Sequence, residues 1–147
     1  TNSVSSYEQL FDINVKGTLH VCEFLREMKV QNLVYISTAG FLISGENTGD
    51  SIGEDFVIDP ENLTNASGYC QTKFVSERIV EKVMEEGFVR GTIVRPTMVG
   101  GCSQTGICSS VDWVMTLLSG SLKFGKFPIL EKEMHWLDWV PIDFCCE

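Results

Sequence analysis

Positive charge is scarce in this chain: 11 Lys and Arg stand against 20 Asp and Glu among 147 residues, a formal net charge of −9. Nucleic acid and anionic membrane surfaces both reward clustered Lys and Arg, so neither is expected as a partner. Long apolar runs are also missing; none approaches the ~18 residues of a membrane-spanning helix, and no transmembrane segment is expected. There is no repeat and no low-complexity tract. The six cysteines include no Cys-x-x-Cys pair to seed a zinc site, so no metal is expected. Cys22 and Cys70 fall inside apolar helical patterns, where a cysteine acts as a small buried hydrophobe. Reduced thiols in a cytoplasmic protein are the expectation. Two matches to the glycosylation sequon, at Asn62 and Asn65, would matter only in a secreted chain. The first residue is Thr rather than Met and the last three are Cys-Cys-Glu, from which both ends are expected to be cut.

What is present reads as a globular α/β chain, 44% apolar and 21% charged. Ser5-Ser6-Tyr7-Glu8 has the Ser-x-x-Glu form of a capping box, and Leu10, Ile13, Gly17, Val21, Phe24, Leu25 and Met28 follow at helical spacing. One long helix over residues 6–28 is predicted. Asn14 and Gly17 interrupt its apolar stripe: Asn14 either bonds a neighbouring backbone or serves a site, and Gly17 either admits another element closely or belongs to that site. Residues 33–38, Leu-Val-Tyr-Ile-Ser-Thr, form a nearly continuous apolar run, as in a parallel strand covered on both faces. Ser37 and Thr38 then stand at its carboxyl end, where open α/β sheets bind ligands, followed by Ala39-Gly40. Residues 44–67 are polar, glycine-rich and acidic, a long loop with a solvated surface.

A helix from Gly68 follows, with Gly87 as its C-cap. Within it Tyr69 and Lys73 are four residues apart, hence on one face one turn apart. A cation beside a phenol favours the phenolate, so Tyr69 could exchange a proton with a substrate oxygen near neutral pH. The bland alternative is a packed tyrosine beside a solvated lysine. Residues 92–94 predict a second short strand that ends in Arg95-Pro96. Residues 100–106 are turn-rich, residues 111–118 predict a helix ending by Gly120, and residues 136–141 alternate as a strand. Alternating helices and strands predict a parallel α/β sheet.

Taken together, Asn-Val-Lys-Gly-Thr at 14–18, Tyr-Ile-Ser-Thr at 35–38, Tyr-x-x-x-Lys at 69–73 and Arg95-Pro96 resemble the extended short-chain dehydrogenase/reductase superfamily. Within it, Gly-Tyr-Cys-Gln-Thr-Lys-Phe-Val-Ser-Glu at 68–77, Val-Arg-Pro-Thr-Met-Val-Gly-Gly-Cys-Ser-Gln-Thr-Gly at 94–106 and Leu-Asp-Trp-Val-Pro-Ile-Asp at 137–143 look most like the thioester reductase domains. These male-sterility-type, NAD-binding domains end polyketide, peptide and aminoadipate assembly lines and are related to fatty acyl reductases. The resemblance implies a Rossmann-like doubly wound parallel sheet, α/β in class. It also implies that the fold is incomplete. The family's opening strand and Gly-x-x-Gly-x-x-Gly turn have no counterpart here, because Gly49, Gly53 and Gly100-Gly101 lack the strand-to-helix setting. Residues 1–147 would thus be the C-terminal portion of a single extended short-chain reductase domain, poorly folded in isolation.

By the same resemblance Tyr69 is the proton donor, Lys73 lowers its pKa and binds the nicotinamide ribose, and Thr38 orients the substrate carbonyl, with Ser37 in reserve. Asn14 supports Lys73 through a bound water. Arg95, Pro96, Thr97 and Val99 join Ser37, Tyr69 and Lys73 around the cofactor. Ala39, Gly40, Ser103, Gln104 and Thr105 contact the substrate. The cofactor implied is NADP, with NAD the other candidate, and the partner is a phosphopantetheine-bearing acyl or peptidyl carrier protein. The reaction implied is reduction of a carrier-bound thioester to an aldehyde or alcohol. Two alternatives stand beside it: an epimerase, dehydratase or dehydrogenase of nucleotide sugars or sterols, and a truncated copy without catalysis.

Overall fold

The computed structural model describes residues 5–43, 53, 58–110, 112–127 and 138–146, with Ile43 and Trp113 described by backbone alone. The chain divides into two compact units, Thr1–Arg95 and Pro96–Glu147. Each is taken by itself.

In the first unit the predicted single helix is three segments: α1 (Tyr7–Leu10), a π-helical turn (Phe11–Lys16) and α2 (Gly17–Glu27). The cap sits one residue later than expected. Ser6 Oγ accepts from the Gln9 amide at 3.4 Å and the Gln9 side chain accepts from the Ser6 amide at 2.9 Å, so an amide closes the box. The Asn14 carbonyl within the π turn accepts from Ser76 Oγ, far along the chain, at 3.0 Å. Gly17 does not admit a neighbour, since the nearest atom to a Cβ there would be the Asp12 carbonyl oxygen at 4.0 Å.

Strand β1 (Asn32–Ile36) pairs in parallel with β2 (Arg90–Val94), Asn32 opposite Arg90 and Ile36 opposite Val94, and the Ser37 amide continues the ladder to the Val94 carbonyl at 2.7 Å. The crossover between them carries α3 (Gly40–Ile43), a 3₁₀ turn (Pro60–Leu63) and α4 (Gly68–Glu85). Part of the expected acidic loop is therefore folded. Asp59 caps the 3₁₀ turn through the Glu61 amide at 2.9 Å, and Ile58 and Leu63 join Phe41, Cys70 and Phe74 in the core. Residues 44–52 and 54–57 lie outside the described residues. The Phe41 and Phe74 rings meet edge to face with centroids 6.0 Å apart. Cys22 and Cys70 are buried, as their apolar settings predict. One expectation fails: β1 is covered on one face only, with Val34 66% and Ile36 55% exposed on the other.

Helix α4 begins at a backbone crossing. A Cβ on Gly68 would lie 2.3 Å from the Tyr7 nitrogen, so only glycine lets α4 start against α1. Ser67 caps it through the Cys70 amide at 3.3 Å, and Gly87, at φ 77°, ends it.

In the second unit β3 (Met98–Gly100) pairs in parallel with β4 (Trp139–Pro141). A Cβ on Gly100 would meet the Trp139 indole nitrogen at 1.4 Å, so the indole lies on bare backbone. Helix α5 (Trp113–Phe124) is capped by Asp112 and runs past Gly120 to Gly125, at φ 62°. The predicted stop at Gly120 is thus corrected; nothing lies within 4 Å of a Cβ there, and an exposed helical glycine costs only about 1 kcal/mol. Helix α6 (Ile142–Cys146) follows Pro141 directly. Val111, Trp136 and Leu137 lie outside the described residues. No described helix is long and apolar enough to cross a membrane.

Candidate active site

Three successive turns of α4 each reach a strand end in the first unit. Tyr69, at the first turn, is half-buried beside Thr38, two residues beyond β1. Burial pushes its phenol above the ordinary value, Cys70 and Tyr35 add to the rise, and a hydrogen bond from Thr38 draws it back. The direction is opposite to the one expected from Lys73. The reason is where the ammonium goes: Lys73 Nζ donates to the Ile36 carbonyl, the last of β1, and lies 4.3 Å from the Tyr35 ring centroid. Thr38 Oγ1 in turn accepts the Gly40 amide at 3.1 Å.

The third turn holds Glu77, which the sequence reading missed. It is fully buried, at 0% exposure. Arg95, just beyond β2, grips it with a fork: Nε reaches both carboxylate oxygens at 3.1 Å and Nη2 reaches Oε1 at 2.6 Å. Arg78 Nη2 adds a contact at 3.1 Å and continues to Glu81 at 2.6 Å. Burial alone would raise the Glu77 carboxyl, but Arg95 foremost, with Ser37 and Arg78, holds it below its ordinary value. Burial outweighs Arg78 at Glu81, whose carboxyl is pushed up. Ser37 Oγ is buried without a well-aligned hydrogen bond, and Glu77 is the group it acts on. Of the two strand-end hydroxyls, Thr38 is the one beside Tyr69. The guanidinium assigned to the cofactor from sequence is spent on Glu77.

Asn14 is engaged twice. Its side-chain nitrogen donates to Thr72 Oγ1 at 2.9 Å, and its carbonyl accepts from Thr18 Oγ1 at 2.6 Å and Ser76 Oγ at 3.0 Å. Thr72 and Ser76 are wholly buried. The Asn14 side chain thus reaches a hydroxyl of α4 rather than a backbone group, and its backbone carbonyl takes a second hydroxyl of the same helix. Asn14, Thr18, Tyr35 and Lys73 are the polar lining of a cavity of about 400 Å³ whose remaining lining is mostly aliphatic. Ala39 is buried, and a Cβ on Gly40 would come within 3.1 Å of Cys70 Sγ.

The remaining sequence-predicted residues belong to the second unit. Pro96, Thr97 and Val99 are half-buried, Val99 within β3. Ser103, Gln104 and Thr105 form an exposed turn. It is anchored by Asp143 of α6, which accepts from the Ser103 amide at 2.8 Å and Oγ at 2.6 Å. Those bonds hold Asp143 below its ordinary value. The Cys102 thiol is lowered by the Thr105 hydroxyl and by the Thr105 and Gln104 amides. Among the described residues no cluster of three or more His, Cys, Asp or Glu side chains could hold a metal. Glu77 was findable as the next i+4 position after Tyr69 and Lys73; Asp143 closes the 137–143 motif, but nothing in its local sequence names Ser103 as its partner.

A family model described as male sterility protein matches residues 1–147. The L-2-aminoadipate reductase of Saccharomyces cerevisiae is 30% identical over 95% of this chain, which spans 10% of that relative. Among solved structures, the terminal R domain from the myxalamid PKS-NRPS biosynthetic pathway matches 99% of this chain and 35% of its own, at 29% identity and a TM-score of 0.85. UDP-glucuronic acid 4-epimerase from Bacillus cereus, in complex with NAD, shares the fold at 21% identity, with 95% of this chain and 42% of its own covered and a TM-score of 0.70. The chain thus spans about a tenth of the curated relative and about a third of the R domain structure.

Proposed function

Since the chain belongs to the male sterility protein family of NAD-binding domains, we propose that it is the C-terminal, catalytic portion of a single NADPH-dependent reductase domain. Its substrate would be an acyl or peptidyl thioester on a phosphopantetheine-bearing carrier protein, released as an aldehyde or alcohol in the cytoplasm. The observation that carries this reading is the pairing of the Thr38 and Tyr69 hydroxyls at the carboxyl end of β1, with Lys73 one turn further along α4. Support for a thioester over a nucleotide sugar comes from the R domain likeness, which includes 29% sequence identity, whereas the epimerase likeness is one of fold alone.

The polar side of the cavity, Asn14, Thr18, Tyr35 and Lys73, suits the ribose end of a nicotinamide cofactor. Among the described residues no glycine-rich strand-to-helix turn is present to take a pyrophosphate. When bound, that cofactor supplies the hydride that reduces the thioester carbonyl. The chain's own residues do the rest. Hydrogen bonds from Tyr69 and Thr38 hold the oxygen as charge develops on it, and Tyr69 gives it a proton. The resulting thiohemiacetal loses the carrier's thiol as the carbonyl re-forms, leaving an aldehyde. Lys73 would hold the ribose, and Ala39 and Gly40 would flank the acyl chain. Asn14 braces α4, and Arg95 acts through Glu77.

The test is NADPH oxidation by the complete reductase domain, offered an acyl-pantetheine thioester, with Tyr69→Phe as control. Oxidation that yields aldehyde or alcohol and falls by about 10²–10⁴-fold in the variant is expected. Turnover unchanged in Tyr69→Phe would remove Tyr69 from the role, and tight NADPH binding without oxidation would turn the assignment to sugar or sterol substrates.

A further inference from the structure

Resting on that reading, we infer that Glu77, through Arg95, is a positioning residue that sets where α4 stands lengthwise against the carboxyl ends of β1 and β2. Residues 69, 73 and 77 lie on one line of the helix, four apart, and each has a partner at a strand end. Tyr69 meets Thr38 and Lys73 meets the Ile36 carbonyl, both at β1. Glu77 meets Arg95 at β2.

The three ties are unequal. Tyr69 must release a proton and Lys73 must turn to a ligand, so neither can anchor the helix through a reaction cycle. Glu77 has no such duty: its side chain is 0% exposed and gripped at both oxygens, and a fork fixes direction as well as distance. The Asn14 bonds tie α4 to the first helical stretch and not to the strands. The fork links α4 to the end of β2. Because β1 and β2 are in fixed register, holding α4 to Arg95 also holds Tyr69 to Thr38. A slip of one residue would carry the phenol about 1.5 Å along the axis and swing it about a quarter turn. Misplacement of about 1 Å can cost about 10²-fold in rate.

Glu77→Asp separates geometry from charge, since it keeps the carboxylate and shortens its reach by one methylene. In the complete reductase domain it is expected to lower kcat by about 10-fold or more, with KM for NADPH and thioester within about twofold of the parent. A second readout needs no turnover: with a single ¹³C-labelled tyrosine at position 69, the phenol should titrate higher in the variant, because the lowering bond from Thr38 is weakened while Tyr35 and Cys70 stay. Arg95→Lys, which keeps the charge and loses the fork, should give the same pattern if Glu77→Asp does not fold. A folded variant with parental kcat and parental Tyr69 titration would overturn the inference and leave the ion pair as packing. Movement of the Tyr69 titration in a domain that reduces no thioester would uphold the positioning role and sink the proposed reaction.

Discussion

The side-chain nitrogen of Asn14 donates to the hydroxyl of Thr72 at 2.9 Å, joining two helices across 58 residues of sequence. The Thr72 hydroxyl donates a hydrogen bond to the Tyr69 carbonyl at 3.0 Å, so the contact bears on the turn that carries the phenol. Thr72→Val keeps the shape and removes both interactions, leaving the Asn14 donor short of a partner. A loss of about 1–3 kcal/mol is expected, read as a lower urea midpoint at unchanged slope. An unchanged midpoint would mean that Asn14 finds another acceptor.

Acid should act through Glu77. Its folded carboxyl is held below the unfolded value, so its contribution is fully present above that unfolded value and is lost as pH falls through the depressed one. Glu81 has the opposite sign: its raised carboxyl opposes folding above its folded value and gives that cost back as pH falls. Denaturation midpoints taken from pH 6 down to pH 3 should therefore fall less steeply in Glu77→Gln and more steeply in Glu81→Gln. Parallel curves for the two variants and the parent would refute the assignment.

Gly68→Ala places a methyl group 2.3–2.6 Å from backbone atoms of Ser5, Ser6 and Tyr7, none of which can swing away as a side chain would. The first turn of α4 must shift. The expected cost is about 1–3 kcal/mol in stability, with activity lost beyond that because Tyr69 is the next residue. A melting temperature equal to the parent's would show that the crossing is looser than these distances.

The phenol of Tyr69 stands above its ordinary value in the cofactor-free protein, so it should remain a loaded proton donor well into alkaline pH. The alkaline limb of kcat/KM is expected above about pH 10. Thr38→Val removes the bond that lowers the phenol and should move that limb higher while cutting kcat by about 10²–10³-fold. A limb near pH 8 in the parent domain would instead mean that Lys73 turns to Tyr69 during the cycle.

Local chemistry was legible wherever it was settled by neighbours in sequence. The four-residue spacing of Tyr69 and Lys73, the hydroxyls after β1 and the left-handed Gly87 all followed from short-range rules. What escaped depends on distant partners. The π turn could not be read from residues 11–16, and the two buried hydroxyls on α4 that bond Asn14 within it lie about 60 residues away. Glu77 was given no role of its own; the guanidinium that makes its burial tolerable comes 18 residues later. The apolar run of β1 promised cover on both sides, yet the face that carries Val34 and Ile36 is exposed. Hydrophobicity tells what a strand would bury, not what is there to bury it.

That bare side of β1 has a practical consequence. With Val34 and Ile36 open on the strand, and Phe24 and Met28 more than half exposed on and just after α2, the polypeptide of 147 residues offers aliphatic and aromatic handles of the kind molecular chaperones hold. Expressed by itself it should travel with such helpers, brighten hydrophobic dyes and come out of solution as it is concentrated, so that preparing it is a matter of giving that strand something to lie against.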